Sequence, residues 1–170
     1  MKNMKKILKV DNPNVYAEYV GAPLLHPQLA LISYDEVSPL RSSMNNYGVY
    51  GLFIQKQFPK YLSYGTKSIV VGDSSIIAVA PGQMGGAEDN GTPLFMNGWA
   101  LLWSAELLKG SPLEGKMEEY HFFSYFDTDW LRMTASEYER FSLLLVTMRK
   151  EMQENPDSPV LRNILTSYLK

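Results

Sequence analysis

The stretch AVAPGQMGGAEDNGTPLFMNGWALLW, residues 78–103, sets two apolar segments around a loop of Gly, Pro, Asn and acidic residues. Its reading decides the fold, because such a loop either grips a phosphate at the start of a helix or turns a corner between two strands. GQMGG (82–86) is neither G-x-G-x-x-G nor a P-loop, and no helix signal follows it to aim a positive end at a phosphate. Pro81-Gly82 matches the central pair of a type II turn instead, since Pro fixes the first φ and Gly accepts a positive second φ. Asn90-Gly91 is a hairpin signal as well. The expectation is a corner in a β structure.

The surrounding text agrees. Segments 29–37, 47–57, 68–72, 75–80 and 93–103 are rich in Val, Ile, Tyr, Phe and Trp and are separated by Gly, Pro, Asn and Ser. Short strands at that spacing predict a sandwich or small barrel. After Ser104 the pattern changes to a short helix over 105–110 and an irregular piece over 112–123. Thr134 and Glu137 then form T-x-x-E, a capping box that predicts a helix to about Glu154. Along it Tyr138, Phe141, Leu145, Met148 and Met152 make one seam at alternating steps of three and four. Leu143 lies nearly opposite that seam and Val146 well away from it, so one partner surface cannot bury both sides. NPDSP (155–159) breaks the helix, and a second arm restarts at Ser158-Pro159 and runs to Lys170, giving a helical hairpin.

Composition restricts the chemistry. With 170 residues, 45% of them apolar and 20% charged, the chain has enough apolar area for one substantial core. A net charge of −2 and no basic run beyond MKNMKKILK (1–9) give no electrostatic footprint for DNA. There is no cysteine, hence no disulfide, thiolate metal site or Cys nucleophile. Lys9, Asp11 and Pro13 interrupt the apolar run that a leader peptide would need, and no run approaches a membrane span, so a cytoplasmic protein without membrane association is expected. GTKS (65–68) lacks the upstream glycine of a Walker A sequence, and NGT (90–92) is a glycosylation acceptor only in a secreted chain.

Only two histidines exist, His26 and His121. No G-x-S-x-G elbow accompanies them, and there is no H-x-H pair of the kind a cupin metal centre takes from one strand. Two histidines with Asp35 or Glu88 keep a small metal-dependent cupin enzyme as the alternative; no metal and no cofactor is the expectation. His26, in LLHPQ (24–28), reads first as a loop histidine capping backbone and second as a residue at a pocket mouth. Phe53, Gln55, Trp99 and Trp103 fall on expected strands, where they either fill the core or line a small-molecule pocket. If Lys56 faces water, Gln55 faces inward, and a buried amide either completes an internal network or meets a ligand.

FPKYLSYG (58–65), APGQ (80–83), GWALLW (98–103), AELLKGSPLEGKMEEYHFFSY (105–125) and LRMTASEYE (131–139) together resemble the N-terminal half of AraC-family transcriptional regulators of the Bacteroidetes type. The likeness covers roughly residues 47–170, and APGQ, GWALL and YHFFSY are its most specific pieces. It departs at Trp103 and Ser104, where a phenylalanine-histidine pair is expected. The resemblance implies a mainly β fold with C-terminal helices: a cupin-like β-barrel (double-stranded β-helix) with its N-terminal arm over residues 1–133, and a dimerising helical hairpin over 134–170. It implies a bacterial, non-catalytic effector sensor that forms homodimers. DNA would be reached only through a helix-turn-helix domain absent from this chain, which is then either a piece of a longer regulator or a stand-alone sensor. On that reading Phe53, Gln55, Trp99, Trp103 and His26 are the candidate effector contacts, chosen by strand parity, and Leu143 and Val146 are the candidate dimer contacts. The effector itself is not named by the sequence.

Overall fold

The structure, a computed structural model, describes residues 7–37, 44–55, 62–64, 67–69, 75–87, 97–109, 131–132 and 134–154. Its strands are β1 (Ile7–Val10), β2 (Leu29–Ser33), β3 (Met44–Tyr47), β4 (Tyr50–Gln55), β5 (Leu62–Tyr64), β6 (Lys67–Ile69), β7 (Ser75–Val79), β8 (Met84–Ala87), β9 (Trp99–Trp103) and β10 (Leu131–Arg132). They form two sheets, one ordered β1-β3-β8-β5-β6 and the other β10-β7-β4-β9-β2. Pairing is antiparallel throughout except between β1 and β3. The chain is therefore mainly β, with two sheets and a C-terminal helix. Among the described residues no ladder joins the two sheets into one closed wall.

Residues 80–83 answer the question posed by the sequence. Gln83 N–H donates to the Ala80 carbonyl at 3.1 Å, closing a four-residue turn in which Gly82 has φ 92°. The Gln83 side-chain carbonyl accepts from Ala80 N–H at 3.0 Å, so both strand ends are pinned. Because β7 belongs to one sheet and β8 to the other, this turn is the corner by which the chain changes layer. Asn90-Gly91 lies outside the described residues.

Several expected boundaries shift, each for a local reason. The segment 29–37 is a strand only to Ser33; Tyr34–Val37 makes one helical turn, α2. The segment 47–57 is divided by a bend at Gly48 and Val49, with β3 ending at Tyr47 and β4 running from Tyr50 to Gln55. Gly48 sits against Val10 and Asp11, where its amide donates to the Val10 carbonyl at 2.9 Å. Of the segment 93–103, the described part becomes a strand only at Trp99, after Gly98 with φ 94°. The expected helix at 105–110 is a 3-10 turn, Ala105–Leu108.

An N-terminal helix, α1 (Pro13–Val20), is not expected from periodicity. Its ends are set by local chemistry: Asn12 accepts from Asn14 N–H at 2.9 Å, Pro13 opens the first turn, and Gly21 at φ 82° closes the last. Pro13, Tyr16, Ala17 and Val20 are buried.

The C-terminal helix α3 (Ala135–Glu154) matches its expected bounds, and its capping box is formed. Glu137 N–H donates to Thr134 Oγ1 at 3.1 Å while Thr134 N–H donates to Glu137 Oε1 at 3.0 Å. These bonds to Thr134 hold the exposed Glu137 carboxyl below its ordinary pKa. Tyr138, Leu145, Met148 and Met152 are buried, and Phe141 packs beside them. The second helical arm, residues 158–170, lies outside the described residues.

Candidate functional site

The sheet β10-β7-β4-β9-β2 is a wall with two differently used faces, and strand parity assigns each residue to one of them. Leu29 and Leu31 of β2, Ile54 of β4, Ile76 and Ala78 of β7, and Trp99, Leu101 and Trp103 of β9 form one cluster with the α3 seam. The alternate residues, among them Ala30, Ile32, Phe53, Val79, Ala100 and Leu102, cluster with Tyr16, Ala17 and Val20 of α1 and with Val10 and Tyr47 of the other sheet. One face is thus roofed by α3, and the other looks into the space between the sheets.

This division separates the residues that parity proposed as one pocket. Cross-strand register pairs Ile54 with Trp99 and Tyr50 with Trp103, so both tryptophans lie on the α3 side. Phe53 pairs with Ala100 and with Ile77, on the inter-sheet side. Gln55 follows Phe53 on that same side, opposite Ser75. Phe53 and Gln55 are therefore brought together, whereas Trp99 and Trp103 share no compartment with them. Parity within one strand is legible in sequence, but the relative phase of two strands is fixed only by their register.

On the outer face, Trp103 stacks on Tyr50 with ring centroids 5.9 Å apart. The Arg149 guanidinium of α3 lies 5.2 Å from the centroid of Trp99, and its Nη1 reaches both Glu36 oxygens at 2.9 and 3.0 Å. That arginine ties α3 to the wall and to α2. Because Glu36 is half exposed, the ion pair itself contributes only about 0–1 kcal/mol, and the buried seam carries the attachment.

On the inner face, Phe53 meets Tyr16 edge-on at 6.3 Å and tilts against Tyr47 at 6.0 Å. The Tyr16 and Tyr34 hydroxyls share a hydrogen bond of 2.7 Å, and Asn45 Nδ2 donates to the Tyr47 hydroxyl at 3.0 Å. Burial pushes the Tyr16 phenol up to about 12, against a partial lowering by its bond to Tyr34. Burial also raises Tyr34 well above the ordinary tyrosine range. Both phenols are neutral at physiological pH.

Gln55 differs from these satisfied groups. It is 1% exposed, and its Oε1 accepts no hydrogen bond among the described residues. A buried amide oxygen left without a donor costs about 1–3 kcal/mol. Gln55 therefore does face inward, as its alternation with Lys56 predicts, but its oxygen is not absorbed into a network.

His26 serves the backbone. Its Nδ1 accepts from Gln28 N–H at 3.0 Å and its carbonyl accepts from Asn14 Nδ2 at 2.7 Å, which joins the start of β2 to α1. His121 and Glu88 lie outside the described residues. Among those that are described, no three His, Asp or Glu side chains are grouped to hold a metal ion. No described helix is long and apolar enough to cross a membrane.

The outward side of α3 carries Leu143 (69% exposed) and Val146 (42%). Leu143 and Val146 lie about 60° apart on the side away from the seam and form a small exposed apolar patch, whereas Leu144 flanks the seam. Comparison with known proteins adds no relative: no protein-family model and no curated protein matches the chain.

Proposed function

We propose that this chain is the effector-sensing and dimerisation part of an AraC-type transcription regulator, non-catalytic, acting on DNA through a helix-turn-helix domain outside the sequence given. The observation that carries this reading is the double-faced wall. Strands β4, β7 and β9 present Phe53, Gln55 and Ser75 to the inter-sheet space and Ile54, Ile76, Trp99, Leu101 and Trp103 to α3. Whatever binds on one side is one sheet thickness from the helix on the other. Strands β2 to β9 also change sheets at nearly every step, the winding expected of a cupin-like double-stranded β-helix.

On this reading the effector sits between the sheets against Phe53 and Gln55, and the homodimer forms through Leu143 and Val146. Trp99 and Trp103 become transmitters under α3 instead of effector contacts, and His26 a structural cap. Effector binding shifts the population of α3 arrangements by its differential affinity for them, and so the spacing of two DNA-binding domains. The protein works in the cytoplasm.

Analytical ultracentrifugation of the native chain and of a Leu143→Glu, Val146→Glu double variant tests the reading. The native chain is expected to dimerise, and the variant to keep its circular dichroism while its dimer dissociation constant rises by at least about a hundredfold, since both charges would be desolvated in the interface. A native monomer, or a dimer indifferent to both charges, contradicts it.

A further inference from the structure

Gln55 Oε1 is a buried acceptor at one end of the inter-sheet space. A buried acceptor without a donor is a rare feature in a folded protein, and no described residue around it supplies the missing bond. The facing residue on β7 is Ser75, which is fully buried. On the β9 side runs Gly98, whose backbone packs against Gln55 Cα and which has no side chain to offer. Farther along the same face, the hydroxyls of Tyr16 and Tyr34 are engaged with each other and that of Tyr47 with Asn45.

Two further properties define what would fit. Among the described residues the buried polar side chains are Ser33, Asn45, Gln55, Ser75 and Gln83, all uncharged. Among the described residues a charged group taken into that interior would find no buried opposite charge and would bear its desolvation uncompensated. The remainder of the inner face is aromatic and aliphatic: Phe53, Tyr47, Ile77 and Val79. A mostly apolar lining with a few polar groups is the usual composition of a small-molecule site.

We propose that the Gln55 end of the inter-sheet space binds a neutral small molecule that donates one O–H or N–H hydrogen bond to Gln55 Oε1 and lays an apolar or aromatic body against Phe53. The inference rests on the inter-sheet space being the sensing compartment, and it adds the chemical class of the effector. Organic acids, phosphorylated compounds and charged amines find no counter-charge at this position among the described residues and are disfavoured there. A neutral alcohol, phenol or amide is admitted.

Three probes of one size separate these classes: cyclohexanol, which donates; cyclohexanone, which only accepts; and cyclohexylammonium, which is charged. They are titrated into the native chain and into Gln55→Met, with the side-chain amide signal of Gln55 and the thermal midpoint as readouts. Cyclohexanol is expected to move the Gln55 amide signal and raise the midpoint, binding about tenfold more tightly than the other two, the worth of one hydrogen bond. Gln55→Met is expected to lose that preference while remaining, without probe, at least as stable as the native chain.

Equal affinity for alcohol and ketone, an alcohol affinity unchanged in Gln55→Met, or no alcohol binding overturns the proposal. So does a Gln55→Met chain that melts several degrees early without any probe, because Gln55 would then be satisfied in the free protein. The sensing role fails separately. An alcohol preference at Gln55 in a chain that never dimerises keeps the site and removes the regulator, and a dimer without the preference does the reverse.

Discussion

Gly98→Ala is expected to lower the thermal midpoint by roughly 10 °C or more, a larger effect than the same change at Gly51. Two penalties combine. Gly98 has φ 94°, a conformation that costs an L-residue about 1–2 kcal/mol. A Cβ there would also lie inside van der Waals contact of the Ile54 carbonyl oxygen and 2.8 Å from Gln55 Cα. Both obstacles are backbone of the central strand β4, which cannot rotate away as a side-chain tip can. At Gly51 the added carbon would meet Leu102 Cδ2 at 2.5 Å and Val79 Cγ2 at 3.0 Å, which can shift. Gly51→Ala is therefore the milder change, and the two compared by thermal unfolding test whether Gly98 is a point of forced close approach. A midpoint within about 3 °C of native for Gly98→Ala would show that the wall does not run as described.

The second large effect concerns the roof. Met148 is 1% exposed in the seam between α3 and the wall, so Met148→Asp puts a carboxylate among Trp99, Leu101 and Trp103. The nearest cation along the helix, Arg149, is already held by Glu36. An unpaired buried carboxylate costs several kcal/mol, comparable to what the seam gains from burial, and the helix is expected to leave the sheet. Tryptophan fluorescence should shift to the red and the α3 amides should exchange with solvent far faster than in the native chain. Ser136→Asp, an exposed first-turn change on the same helix, should alter neither. A Met148→Asp chain with native fluorescence would place the seam elsewhere.

What the sequence reveals here follows the range of the forces involved. The α3 cap, its seam and its exposed residues are legible because Thr134, Glu137 and the repeat from Tyr138 to Met152 act within a few turns of one helix. The Pro81-Gly82 corner is legible for the same reason, since two residues carry the required backbone angles. Helix α1 is short enough that periodicity is silent, yet Asn12, Pro13 and Gly21 mark its ends in the sequence.

Long-range register is another matter. Nothing local to Phe53, Gln55, Trp99 or Trp103 says that Trp99 pairs with Ile54 and not with Phe53, and a shift of one residue moves a side chain through the sheet. The proposed pocket was therefore divided by a quantity that only the assembled sheet defines. Similarly, Gln55 is readable as inward-facing, but its empty acceptor depends on what β7 and β9 bring beside it.

The most direct test of the account is whether a change on the inner face of the wall is felt by the outer helix. Sedimentation equilibrium gives the dimer dissociation constant of the native chain and of Gln55→Met, a substitution one sheet away from α3. Coupled sites typically exchange about 1–3 kcal/mol, so the constant is predicted to change by at least about fivefold. The same constant in both chains, or monomers in both, would contradict a sensor that speaks to its dimer through the sheet.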